Sequence, residues 1–186
     1  MGKLFSELGP EHVAFIEKQR MFFVASAPLA GEGHVNLSPK GYDAFRILSA
    51  AEVAYLDLTG SGNETSAHVQ ENGRITLMFM AMEGAPMILR LYGKGSVYLP
   101  GSPDWERLRP RFPDIPGARQ IVAVQLHAVK TSCGFSVPYY SYDGDRDTLK
   151  EWAARKSDDA LAAYRREKNA VSMDGLTIPL VSDALE

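Results

Sequence analysis

Ile75-Thr76-Leu77-Met78-Phe79-Met80 and Ile88-Leu89-Arg90-Leu91-Tyr92-Gly93-Lys94-Gly95-Ser96-Val97-Tyr98-Leu99 read as two strands, separated only by a short connection that holds Ala85-Pro86. A link this short leaves no room for a crossover helix, so the two strands are expected to pair antiparallel. Gly93 and Gly95 interrupt the second strand and predict a bulge or a close backbone approach.

The same pattern continues outward. Met21 to Ala27 is an apolar run of strand length, His34 to Leu37 a short strand, Val53 to Leu58 a third and Gln120 to Val129 a further one. Helical signals are fewer. Pro10 suits the first turn of a helix over Glu11 to Arg20. Asn63 and Gly73 bracket a short helix from Glu64 to Asn72 as cap and terminator. Ser102-Pro103-Asp104 starts another. From Arg146 to Lys168, Leu149, Trp152, Ala153, Ala160, Ala163 and Tyr164 fall near one face of one long helix. The tail from Asn169 is polar and turn-like. Strands joined by turns, without alternating helices, predict a mainly β fold: an antiparallel barrel with peripheral helices. The expected division is a barrel domain over residues 1–145, with a C-terminal helix and tail over 146–186 packed on it.

The 186 residues suit one domain. Hydrophobic residues make up 45% and charged residues 23%, enough apolar content for a sizeable core. The net charge of -3 argues against a nucleic-acid protein with a broad basic face, though not against a local anion site. Cys133 is the only cysteine, so no intramolecular disulfide forms; a buried, inert thiol is expected. No apolar run approaches the roughly 20 residues that span a bilayer, and the N-terminus shows no signal-peptide core. No membrane association and a cytoplasmic location are the resulting expectations. His12, His34, His68 and His127 are scattered without metal-ligand spacing, and no Gly-x-Ser-x-Gly elbow occurs.

Two segments could hold a ligand. In Asn36-Leu37-Ser38-Pro39-Lys40-Gly41, strand alternation puts Asn36 and Ser38 on one face, with Lys40 beside them if Pro39 keeps the register. An amide, a hydroxyl and an ammonium converging there would cradle an anion or a polar ring; the alternative is a strand end with an exposed lysine. In Thr59-Gly60-Ser61-Gly62-Asn63-Glu64-Thr65, backbone N–H groups, hydroxyls and a helix N-terminus suit a phosphate. The alternative there is a flexible turn with an asparagine cap. Arg90, within an apolar strand, needs a phosphate, a ligand carbonyl or a carboxylate as partner if it faces the core.

Taken together and in order, these pieces resemble the FMN-binding region of the pyridoxamine 5'-phosphate oxidase-like family over about residues 20 to 100. Thr131 to Pro138 and Lys168-Asn169 through Asp174-Gly175-Leu176 resemble an uncharacterised branch of it. The resemblance implies a six-stranded split β-barrel that forms a homodimer with FMN at the interface. It implies that Lys40 contacts the flavin or its phosphate, with Asn36 and Ser38 beside it, and that Thr59, Ser61, Gly62, Asn63 and Thr65 lie near the ligand. Arg90 would contribute polar contacts from the neighbouring subunit. Asn63-Glu64 stands where the oxidase proper carries an Arg-Lys pair, which implies either that Glu64 points away from the phosphate or that the phosphate is held differently.

No conventional catalytic set is visible, so a bound cofactor is expected to carry any chemistry. The leading expectation is an FMN-dependent oxidoreductase acting on an unknown small-molecule substrate; the sequence does not distinguish FMN from a deazaflavin in its place. The alternatives are a non-catalytic flavin- or haem-binding module and a structural homodimer with an empty cleft.

Overall fold

The computed structural model describes residues 2–180. Its strands are β1 (Leu4–Phe5), β2 (Phe22–Ser26), β3 (Asn36–Lys40), β4 (Phe45–Ser49), β5 (Glu52–Leu58), β6 (Arg74–Met80), β7 (Ile88–Tyr98) and β8 (Ala118–Ser132). The helices are α1 (Pro10–Ile16), α2 (Glu64–Asn72), α3 (Pro103–Leu108), α4 (Thr148–Ala154) and α5 (Asp158–Lys168). Neighbouring strands run antiparallel in the order β3-β2-β6-β7-β8-β5-β4, and β1 pairs with β8. β6 and β7 pair antiparallel as expected, in continuous register from Arg74 opposite Lys94 to Met80 opposite Ile88.

β2 and β6 bury every second residue, the mark of a strand with one face on a core. Phe22, Val24, Leu77, Phe79, Leu89 and Leu91 therefore fill one interior. The sheet curls enough to bring distant strands together. Phe22 of β2 sits 5.2 Å from Phe45 of β4 and 5.6 Å from Tyr55 of β5, ring centre to ring centre. β5 is buried on both faces, because its two residue sets meet different partners. Val53 and Tyr55 join the barrel interior; Ala54 and Leu56 pack with Trp105 and Leu108 of α3. Each large side chain so buried is worth about 1.5–3 kcal/mol.

Several expectations are corrected. The mainly β split-barrel fold is as expected, with eight strands among the described residues where six were expected: β1 has only two residues, and β4 shows no alternation of buried and exposed positions. The single C-terminal helix is two, because Ser157 caps α5 by accepting the Ala160 N–H at 3.2 Å. Cys133 is exposed, not buried. The tail is not loosely polar: Val171 bridges Thr177, and Asn169, Ser172 and Ile178 are buried. The predicted irregularity at Gly93 is present, with the β7–β8 register shifting between Tyr92 and Gly93. A side chain there would collide with Val124 and with the Gln125 carbonyl. Among the described residues, no helix is long and apolar enough to cross a membrane.

Candidate functional site

β3 presents Asn36, Ser38 and Lys40 half-buried on one face, with Leu37 and Pro39 turned to solvent. That face, the turn after β5 and the start of α2 together wall a cleft of about 1490 Å³. Asn36, Ser38, Lys40, Ser61, Gly62, Asn63 and Thr65 all line it. The two segments picked out in the sequence are thus brought together, and the Asn36 amide donates to Thr65 Oγ1 at 2.9 Å across the junction.

Two sequence candidates lie elsewhere. Thr59 does not line the cleft; its hydroxyl and N–H both donate to the Gly117 carbonyl at 2.8 Å. Arg90 does not line this chain's cleft either, and its guanidinium donates to Ser132 Oγ at 3.1 Å. Gly62 lines the cleft, but its φ lies outside the left-handed region and a Cβ there would meet only Glu64 Oε1, at 3.7 Å.

The centre of the site is a residue that the two-segment reading did not include. Asp57, 3% exposed, accepts from Lys40 Nζ at 2.6 Å, Arg119 Nε at 2.8 Å and Gln120 Nε2 at 2.9 Å. Successive strand residues normally point to opposite faces, so Arg119 and Gln120 should not both reach one carboxylate. They do so because β8 bulges there. Asp57 pairs with Gln120 and Leu58 with Ala118, leaving Arg119 as the extra residue. Bulges re-aim side chains in this way. Burial by itself would raise the Asp57 pKa; the charges of Arg119 and Lys40, and their hydrogen bonds, outweigh it and hold the carboxyl well below its usual range. The signal that could have found it is a carboxylate inside the apolar run Val53 to Leu58, which demands a partner just as Arg90 does.

Around this cluster the polar groups interlock. Gln120 Nε2 also donates to Asn63 Oδ1 at 2.8 Å, so the Asn63 side chain is held as an acceptor and does not cap α2. Its Nδ2 has no partner among the described residues, nor has the buried Tyr55 hydroxyl, which lies close to Thr65 without hydrogen-bonding geometry. Burial first, and then the Asp57 charge, push the Tyr55 pKa up, so this phenol stays protonated. Arg119 Nη1 donates to Asn169 Oδ1 at 2.8 Å. Glu64 is turned to the tail, accepting the Met173 N–H at 3.1 Å.

Residues 8–133 match the family model for pyridoxamine 5'-phosphate oxidase. The chain belongs to the pyridoxamine 5'-phosphate oxidase family. A relative from Aspergillus flavus, the pyridoxamine 5'-phosphate oxidase family protein ustO, is 36% identical over 178 residues, covering 86% of this chain and 70% of the relative. Among solved structures, HupZ of Group A Streptococcus aligns at TM-score 0.53 and 17% identity, over 72% of this chain and 99% of that one. A candidate pyridoxamine 5'-phosphate oxidase from Lactobacillus delbrueckii aligns at 0.51 and 16%, over 67% and 94%. At those identities the likeness is one of fold, the split β-barrel of the family.

Proposed function

We propose that the cleft binds FMN and that the protein is a flavin-dependent oxidoreductase of small organic molecules, working as a homodimer. One observation carries the reading: Lys40 and Arg119 share the single carboxylate of Asp57 on the wall of a large cleft. Two cations on one anion leave a positive charge over, near the buried, unpartnered Asn63 amide and the exposed Ser61. Such a wall suits a phosphate. Leu56, Leu58, Met80 and Ala81 add apolar lining suited to a flat ring system. The cleft exceeds the roughly 300–1,000 Å³ of an ordinary small-ligand pocket, so a substrate fits alongside.

When bound, FMN supplies hydride or electron transfer. The protein's part is to hold and orient it. Asn36, Ser38 and Lys40 offer two donors and a charge from β3, while Ser61, Gly62 and Asn63 offer donors from the turn. Among the described residues the cleft lining includes no histidine or cysteine, the side chains best suited to acid–base or nucleophilic work near neutral pH. That observation also favours a second reading, a non-catalytic flavin- or haem-binding module.

Purification under native conditions, an absorbance spectrum, and mass spectrometry of the chromophore released on denaturation test both. Flavin bands and a mass matching FMN are expected. A Soret band supports the haem version of the second reading, and a deazaflavin mass changes the cofactor. A colourless protein that does not bind added FMN refutes the proposal.

A further inference from the structure

We infer that Arg119 is the anion-recognising residue of the cleft and that the C-terminal hairpin holds it there through Asn169; the inference rests on the reading of this cleft as a phosphate-ester site. Arg119 is 6% exposed and lines the cleft. Its Nε is used on Asp57 and its Nη1 on Asn169, while Nη2 has no protein acceptor among the described residues. Lys40, the obvious cation from sequence, has its ammonium 2.6 Å from Asp57 Oδ1. Arg165 stands close by, half-buried, its Nε without a partner. Burial, then the Arg119 charge, pull its pKa down. Unmatched positive charge in a poorly solvated place is costly unless an anion completes it.

A second polar group points the same way. Asn63 is 3% exposed, its Oδ1 is fixed by Gln120, and its Nδ2 is unpartnered on the cleft wall. A guanidinium edge and an amide donor together match a phosphate monoester.

The hairpin of residues 169–178 is tied to both walls. Asn169 is fully buried; its Nδ2 donates to the Gly60 carbonyl at 3.0 Å while its Oδ1 receives Arg119. The Met173 N–H donates to the Glu64 carboxylate, which still lines the cleft beside Gly62. Asp174 accepts the His34 N–H at 2.8 Å beyond β2. An amide at position 169 positions Arg119 without neutralising it; a carboxylate there would cancel the charge the ligand needs. Asn169 is thus a positioning residue. The phosphate could belong to the flavin or to a phosphorylated substrate, and the test separates them.

Full-length wild type, Arg119→Lys, Asn169→Ala and Asn169→Asp are titrated with FMN and with riboflavin by flavin fluorescence, and with inorganic phosphate by melting temperature. Wild type is expected to prefer FMN over riboflavin at least tenfold. Asn169→Ala and Arg119→Lys should weaken FMN by roughly tenfold to a hundredfold, the size of one charge-assisted contact, with riboflavin unchanged. Asn169→Asp, which keeps the hydrogen bond to Arg119, should weaken FMN at least as much. If Arg119→Lys does not fold, the two Asn169 variants decide. FMN affinity unchanged in both, or FMN and riboflavin falling in parallel, overturns the inference. Equal wild-type affinity for FMN and riboflavin, with no phosphate effect, overturns it while leaving flavin binding intact. Phosphate stabilising wild type but not Asn169→Asp, with no flavin bound, upholds an anion site for a phosphorylated substrate and sinks the flavin reading. No response to phosphate or to either flavin sinks both.

Discussion

Asp57→Asn removes one charge and almost no volume from the most constrained place in the protein. The carboxylate accepts three donors, at 2.6, 2.8 and 2.9 Å, from Lys40, Arg119 and Gln120. An asparagine offers one oxygen and turns an NH2 group toward donors, so at least one buried cation or amide loses its acceptor. Removing one partner of a buried pair costs about 3–5 kcal/mol, a large part of the roughly 5–15 kcal/mol that holds a domain folded. The pH dependence has a definite sign. The folded pKa lies below the usual carboxyl value of 3.8, so the stabilisation is fully present above that value and is lost as pH falls through the folded value. Urea unfolding of both proteins at one protein concentration, at pH 7 and again below pH 3.8, reads the effect. A gap of about 3–5 kcal/mol at neutral pH, narrowing only in acid, is expected. A gap under about 1 kcal/mol with an unchanged urea slope would refute the claim that Asp57 is the buried counter-ion of Lys40 and Arg119.

Lys40→Ala should weaken FMN by roughly tenfold or more, and Lys94→Ala should not, since Lys94 is exposed on β7 with its stem over Gly73; equal titration curves would reduce Lys40 to a structural partner of Asp57. Gly93→Ala should lower the melting temperature by an overpacking cost of about 1–3 kcal/mol, because its methyl would collide with Val124 and the Gln125 carbonyl. Gly31→Ala, with open space around it, is the control, and equal melting temperatures would contradict the close approach. Light scattering should return a dimer at micromolar concentration. Val35 and Leu37, 73% and 62% exposed, lie in and just before the edge strand β3, and a monomer would remove the homodimer from the proposal.

Local chemistry was legible along the chain. The helix Glu64–Asn72 and its stop at Gly73 appear where expected, because glycine adopts the left-handed φ of +74° that closes the last turn, its N–H bonding to the Val69 carbonyl, without a Cβ penalty. The β6–β7 pair follows from two apolar runs on a short link; the Asn36–Lys40 segment, read as a strand only as far as Leu37, is the strand β3 itself, and with the turn after β5 it lines one cleft. The two-residue β1 is too short to carry a period, and β4, no shorter than β2 or β3, alternates no buried and exposed positions, so neither was legible. Nor was the centre of the site. Asp57 and Arg119 are 62 residues apart in sequence and Arg119 and Asn169 are 50 apart. Their meeting depends on the β5–β8 register and on one bulged residue in β8. Hydrophobic period reports which face a residue turns to the core; the partner across a strand pair is set by register. The strength of a charge pair is then set by burial, which exists only once the sheet has curled and the tail has closed over it.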